Sequence, residues 1–240
     1  MKTLAVLLSL IVLLLTAAAN AAQPESVSKE FRSLVPRQIL PLLHTPEIHQ
    51  ELKFSKTQIA ELESLFWEID GSWFQSRNLP TEKQLPILDS LDQRVHKWLA
   101  DKTTNEQRER LLQIELQAQN VRMLLREDLT DQLKLESSQQ NRFAELARAT
   151  TTAQAALQKA LSQGESSDDL QSKATAAAKA EQDAVKKLLK PEQQKRLAQL
   201  IGEPFELSKL NRIYPMAPEF VRVTSWVNSK PLTLKELRGK

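Results

Sequence analysis

The chain has 240 residues, enough for one or two domains, with four glycines, one tyrosine and no cysteine. Lys plus Arg (33) barely exceeds Asp plus Glu (30), and the two signs are interspersed, so the clustered cations and interleaved aromatics that nucleic-acid binding needs are absent. Without cysteine, a disulfide, a thiolate nucleophile, a thiolate metal site and a lipoprotein anchor are all excluded on this chain.

Residues 1–22 read MKTLAVLLSLIVLLLTAAANAA. Lys2 precedes an apolar run over residues 4–15, and Ala19-Asn20-Ala21 puts small residues at −3 and −1 of a processing site. The pattern predicts a secretory signal peptide over residues 1–21, cleaved after Ala21. The alternative is an uncleaved anchor, because the stretch from Thr3 to Pro24 is uncharged. The chain is expected to be exported, periplasmic or secreted, with no stable membrane insertion after cleavage.

Leu, Ala, Gln, Glu, Lys and Arg dominate the rest, so a mostly helical protein is expected. After a helix start at Thr45-Pro46, a first hairpin is predicted over about residues 55–74 and 81–100. Pro86 lies near the start of its second helix and is expected to shift that boundary. This half holds Phe66, Trp67, Trp73, Phe74 and Trp98, so the better core is expected here. Further on, Phe143, Leu146, Ala147, Ala153, Leu157 and Leu161 recur at helical spacing. Residues 163–167 break the pattern, and Leu170, Ala174, Ala177, Ala184, Val185 and Leu188 resume it. So short a connection implies antiparallel neighbours. At roughly 25 cal/mol per Å2, an Ala-rich seam contributes much less than a Leu seam, so a long, mobile arm is expected.

The chain repeats itself. LLHTPEIHQELKFSKTQ (42–58) aligns with LLREDLTDQLKLESSQ (124–139) with a one-residue gap, matching Leu52-Lys53 with Leu133-Lys134 and Gln58 with Gln139. NEQRERLLQI (105–114) aligns with PEQQKRLAQL (191–200) through Glu-Gln, Arg110/Arg196 and Leu111/Leu197. Two pairs in the same order and at similar spacing point to duplication. The fold class is therefore all-α, with two related antiparallel helical-hairpin halves. Four turns share one grammar, around Ser55 and Gln58, Thr104 and Gln107, Gln139, and Pro191 and Gln193. Ser55 and Thr104 can cap the third amide of their helices while Gln58 and Gln107 reach back, and Pro191 fits the first helical position. Glu136 and Lys190 are poor caps, so Ser137 with Gln140 could start that helix one residue later.

Candidate chemistry is sparse. His44, Glu47 and His49 cluster at one helix start, but a five-residue histidine spacing is wrong for a helical metal pair, and His96 is remote in sequence. Partly exposed polar histidines are expected instead. Carboxylate pairs such as Glu61/Glu63 and Asp168/Asp169 fall on solvated faces. No Ser-His-Asp pattern or Gly-rich phosphate loop is present, so no catalytic residue, metal or cofactor is expected. Phe66, Trp67, Trp73 and Phe74 are the candidate client or dimer surface, although aromatics at helical spacing are more often core.

The four Gln turns resemble the Leu-Thr-x-x-Gln motifs of the Spy/CpxP family of periplasmic helical proteins, over about residues 40–205. That resemblance implies an exported helical-hairpin fold, often dimeric, that binds unfolded clients without ATP or responds to envelope stress. Beyond Phe205 the helical grammar fails: Pro215, Pro218 and Pro231 intervene, and Val221, Val223 and Val227 alternate as in a strand. Ala217-Pro218-Glu219-Phe220, Trp226-Val227-Asn228, Pro231-Leu232-Thr233-Leu234 and Leu237-Arg238-Gly239-Lys240 are similar to the opening of a redoxin. Redoxins are thioredoxin-like thiol-disulfide oxidoreductases related to TlpA and ResA, and in them this lead-in precedes a central strand and a Cys-x-x-Cys site. Leu234 to Leu237 should form one helical turn.

The expected organisation is a signal peptide (1–21), a first helical-hairpin half (22–120), a second half (121–207), and a linker with the start of an incomplete redoxin-like domain (208–240). On this reading the chain is a truncated product of a longer redoxin-type gene. Its helices serve as spacer, dimerisation or client-recognition unit, and no activity is expected from them. The alternative is a stand-alone Spy-like chaperone or envelope-stress protein. The partners expected are a second copy of the chain and unfolded or thiol-containing protein clients.

Overall fold

Leu62, Phe66 and Ile69 stand three and four residues apart, and that spacing sends all three to one buried face of a helix. The same logic runs through a computed structural model of the chain, which describes Phe31, residues 33–210, Phe220, Val223 and residues 225–237. The signal-peptide reading, the motif at 217–219, Val221 and Arg238-Gly239-Lys240 lie outside the described residues. In chain order the helices are α1 (Ile39–Leu43), α2 (Pro46–Glu51), α3 (Lys56–Ser76), α4 (Thr81–Lys102) and α5 (Asn105–Gln119). After a 3-10 segment over Asn120–Leu125 come α6 (Glu127–Leu133), α7 (Ser137–Gln163), α8 (Asp168–Leu188) and α9 (Pro191–Ile201). A 3-10 turn at Leu207–Lys209 and a short α10 (Leu234–Leu237) follow. There is no strand among the described residues, and the fold is all-α.

Two antiparallel hairpins, α3–α4 and α7–α8, carry the two related halves. In each half a short helix precedes the hairpin and another follows it: α2 and α5 in the first, α6 and α9 in the second. Lys53 and Lys134, aligned in the repeat, both adopt left-handed backbone (φ 52° and 51°) where α2 and α6 end. Asn or Gly is the usual residue at such a helix end. Pro86 does not move the start of α4: the helix begins at Thr81 and carries Pro86 inside it. Proline has no N–H to bond the Glu82 carbonyl, but Glu82 and Pro86 are exposed, so water can take that place.

Each half has its own core. Leu43, Ile48, Leu62, Phe66, Ile69 and Leu99 centre the first. Leu124, Leu125, Leu129, Leu133, Leu135 and Phe143 centre the second, so the second half is not the poorer one that its few aromatics suggested. The 3-10 segment supplies much of this, sending Val121, Met123, Leu124 and Leu125 inward. The hand-over occurs within α5, where Leu111 and Ile114 face the first core and Leu116 the second. The segments before α1 and after α9 cross over. Phe31, Leu34 and Val35 complete the second core, while Phe205, Leu207 and Leu210 pack on the first.

Buried ion pairs pin this junction. Arg126 grips Asp128 with two bonds (both 3.0 Å) and donates to Glu115 of α5 (3.0 Å), which also accepts from Gln119 (3.3 Å). Arg122 donates to the buried Glu181 of α8 (2.8 Å). Removing one partner of such a pair strands a charge away from water, at about 3–5 kcal/mol.

Phe66 is 4 % exposed and stacks on His44 with ring centroids 3.7 Å apart. Phe74 is half-buried and carries the Arg77 guanidinium 4.1 Å over its ring. Phe66→Ala is therefore expected to lower unfolding stability by about 3–5 kcal/mol. Phe74→Ala should lower it by less than about 1.5 kcal/mol, its area loss being partial. Urea unfolding of both variants, followed by far-UV circular dichroism, measures the contrast.

Candidate functional site

A helix leaves unpaired N–H groups at its start and unpaired carbonyls at its end. Two short helices and one hairpin meet at the base of each half, so several such ends lie close together. The glutamines of the four repeated turns answer this need. Gln58 Oε1 accepts from the Ser55 N–H (2.8 Å), while the Gln58 N–H donates to Ser55 Oγ (3.1 Å). The Gln58 Nε2 then donates to the Lys102 carbonyl at the end of α4 (2.7 Å) and to Gln107 Oε1 (2.9 Å). Gln107 mirrors it, accepting from the Thr104 N–H (2.9 Å) and donating to the Leu52 carbonyl just past α2 (3.0 Å).

The second half repeats the arrangement. Gln139 accepts from the Glu136 N–H (2.9 Å) and donates to the Leu188 carbonyl at the end of α8 (2.6 Å) and to Gln193 (2.9 Å). Gln193 accepts from the Lys190 N–H (2.9 Å) and donates to the Leu133 carbonyl (3.2 Å). Each amide thus caps the start of its own helix with its oxygen and the end of another with its nitrogen. A carboxylate in that place would have no donor, and an alanine would have neither group.

The expectation that α7 could start later, on Ser137 and Gln140, is not met. The helix begins at Ser137 with Gln139 at its third position, and Gln140 donates to the Leu135 carbonyl instead (3.2 Å). Glu136 and Lys190 lack the hydroxyl that Ser55 and Thr104 supply, and they bond each other across the base (2.6 Å). Their hydrogen bond holds the Glu136 carboxyl below its usual range and raises Lys190. Both are solvent-exposed, so the pair adds little stability.

The candidate aromatics divide. Phe66 is core, Trp73 packs against that core, and Trp67 and Phe74 are half-buried near the outer part of the α3–α4 hairpin. They do not form one exposed surface. The histidines depart further from expectation. His44 is nearly buried: its Nδ1 donates to the Leu40 carbonyl (2.8 Å), and its Nε2 faces both Asp70 oxygens (3.0 and 2.9 Å). A carbonyl can only accept, so Nδ1 is the donor to Leu40, and Nε2 lies within hydrogen-bond reach of the Asp70 carboxyl group. His49 Nε2 lies 2.6 Å from the Leu43 carbonyl. The local sequence held no sign of the pairing with Asp70, which comes from a different helix.

His96, on α4, is a base under strain of another kind. Its Nδ1 is buried with no partner, and burial, followed by the positive charge of Arg126, lowers its pKa to about 4. The α7–α8 hairpin is the remaining feature. Between residues 151 and 180 only Ala160 and Ala174 are buried, and Leu161 near the tip is 53 % exposed. The 27 residues of α7 give a rod about 40 Å long. No helix among the described residues is long and apolar enough to cross a membrane. Comparison with protein-family models, curated proteins and solved structures returns no match.

Gln139 and Gln193 are buried, whereas Gln58 and Gln107 are half-buried. Gln139→Ala should therefore cost about 2–3 kcal/mol and Gln58→Ala about half of that, because more unpaired groups lose access to water in the second half. Gln193→Ala added to Gln139→Ala should cost much less than the sum, since the two share one network. Chemical denaturation of Gln58→Ala, Gln139→Ala, Gln193→Ala and the Gln139/Gln193 double variant gives the comparison and the cycle. For His96 the unfolded form binds a proton near pH 6.5 and the folded form only near pH 4. Stability is then full above pH 6.5 and falls as pH drops through that window, by roughly 3 kcal/mol in total. His96→Leu should remove this part of the acid sensitivity, as read by urea midpoints from pH 7 to pH 4.

Proposed function

We propose that this chain is the exported helical module of a thiol-disulfide oxidoreductase, serving as spacer and client-recognition unit while the redox chemistry belongs to a cysteine-bearing domain. The observation that carries the reading is a division within the molecule. The polar groups with most chemical potential are used up in structural bonds: the four glutamines on each other and on carbonyls at helix ends, and His44 on Asp70 and the Leu40 carbonyl. The projecting α7–α8 hairpin is instead left bare. With no cysteine, the chain has no thiolate to attack a disulfide and none to resolve a mixed one.

The C-terminal stretch supports the redoxin side of the proposal. Leu234–Leu237 forms the helical turn expected of the redoxin-like lead-in, and Thr233 Oγ1 accepts from the Glu236 N–H (3.2 Å). Phe220 meets Trp226 edge-to-face with centroids 5.6 Å apart, and Val227 is 83 % exposed, an apolar side chain that a neighbouring surface would cover.

A second reading, a stand-alone Spy-like chaperone, is favoured by the glutamine pairs themselves, because the residues that carry that resemblance are those that tie the hairpin bases together. Two measurements separate the readings. Reading the coding sequence past codon 240 is expected to give an apolar strand and then Cys-x-x-Cys within about 20–30 residues, the reach of one strand and loop. An in-frame stop in that interval counts against the module reading. Light scattering of a reduced, aggregating client tests the recognition role: suppression at near-stoichiometric ratio is expected, and its absence rejects client binding on either reading.

A further inference from the structure

The segment after α9 is held in an unusual way. At Gly202 the backbone turns out of the helix with φ +62°, and an added Cβ would lie 2.3 Å from the Gln113 side chain, so the chain passes tightly over α5. From there residues 203–206 run as a strap along the first half, and the 3-10 turn at Leu207–Lys209 closes it. Gln117 of α5 donates to the carbonyls of Ile201 (2.8 Å) and Glu203 (2.9 Å), and its Oε1 accepts from the Phe205 N–H (2.8 Å). Arg110, anchored on Glu51 (2.7 Å), donates to the same Glu203 carbonyl (2.8 Å). Apart from the Arg110–Glu51 anchor, each of these bonds goes to main chain between residues 201 and 205, which any polypeptide could supply. The side chains contribute bulk: Phe205, Leu207 and Leu210 pack against the first core and stay half-buried.

The N-terminal segment is bound by the same chemistry. Gln119 donates to the Pro36 carbonyl (3.1 Å) and Arg122 to that of Leu34 (3.4 Å). There, however, Phe31, Leu34 and Val35 are 7 %, 7 % and 4 % exposed and belong to the second core itself. One segment is therefore sealed in, and the other lies on the surface.

Main-chain clamping combined with shallow apolar anchoring is how extended peptides are recognised irrespective of sequence. We propose that α5, with Gln117 and Arg110 as its clamps, floors a groove for an apolar segment of an unfolded polypeptide, and that residues 203–210 are its resident competitor. The inference rests on the client-recognition reading above. A groove occupied in cis binds in trans with an affinity reduced by the fraction of molecules in which it is open.

The probe is the fluorescent decapeptide IGEPFELSKL, the sequence of residues 201–210. By anisotropy, Phe205→Ser/Leu207→Ser should bind it at least tenfold more tightly than wild type, and adding Gln117→Ala should lose that gain. In wild type, excess unlabelled peptide should speed hydrogen exchange at the Phe205 amide, and a peptide with its Phe and both Leu replaced by Ser should not. Equal affinity of wild type and the double variant, or a Phe205 amide indifferent to peptide, overturns the proposal. Should the double variant lose its helical circular dichroism, the wild-type exchange experiment decides alone. Aggregation suppression without exchange at Phe205 sinks the groove and spares client recognition; exchange without suppression does the reverse.

Discussion

The fold depends on satisfying helix ends where several of them converge. A packed bundle base would bury unpaired N–H and C=O groups, each a penalty of about 1–3 kcal/mol when left alone. Here one primary amide per turn resolves the conflict, because it alone among short side chains offers an acceptor and two donors on one planar group. Gln58 and Gln107 do so at one base, and Gln139 and Gln193 at the other. The amide fixes which helix end lies beside which, and so sets the direction in which each hairpin leaves its base.

The hairpins can then differ because their bases do not. The α3–α4 hairpin buries Leu62, Phe66 and Ile69 against Leu91, Val95 and Trp98, and is core for much of its length. The α7–α8 hairpin is anchored near its base by Phe143, Ala144, Ala147 and Ala184, then continues as a thin Ala-seamed rod. Burial is concentrated where rigidity is needed to aim the rod, and it is sparse where the rod meets solvent.

The two halves are joined by more than a linker. Helix α5 is shared by both cores, and the segments before α1 and after α9 cross, each completing or covering the half farther from it in sequence. Arg126 with Glu115 and Asp128, and Arg122 with Glu181, place charge at this junction. Buried ion pairs seldom add net stability over well-packed apolar residues, but they penalise any arrangement that separates the partners. At a junction between two similar halves, which could otherwise pair in more than one register, that selectivity has a clear use.

By itself the sequence determined the helical class, the duplication, the limits of the α7–α8 hairpin and the absence of thiol chemistry. These follow from spacing, capping residues and composition, which act over a few residues or over none. It also pointed to the glutamines as capping residues, since the reach-back to Ser55 or Thr104 is local. What only the tertiary structure decided is that these amides meet in pairs, that Glu136 and Lys190 pair in place of hydroxyl caps, and that His44 is buried against Asp70. The same holds for the second core, whose residues from the Asn120–Leu125 segment follow no helical stripe, and for the crossing of the segments before α1 and after α9. Each of these joins residues far apart in the chain, and such partners are chosen by packing geometry, on which local periodicity has no bearing.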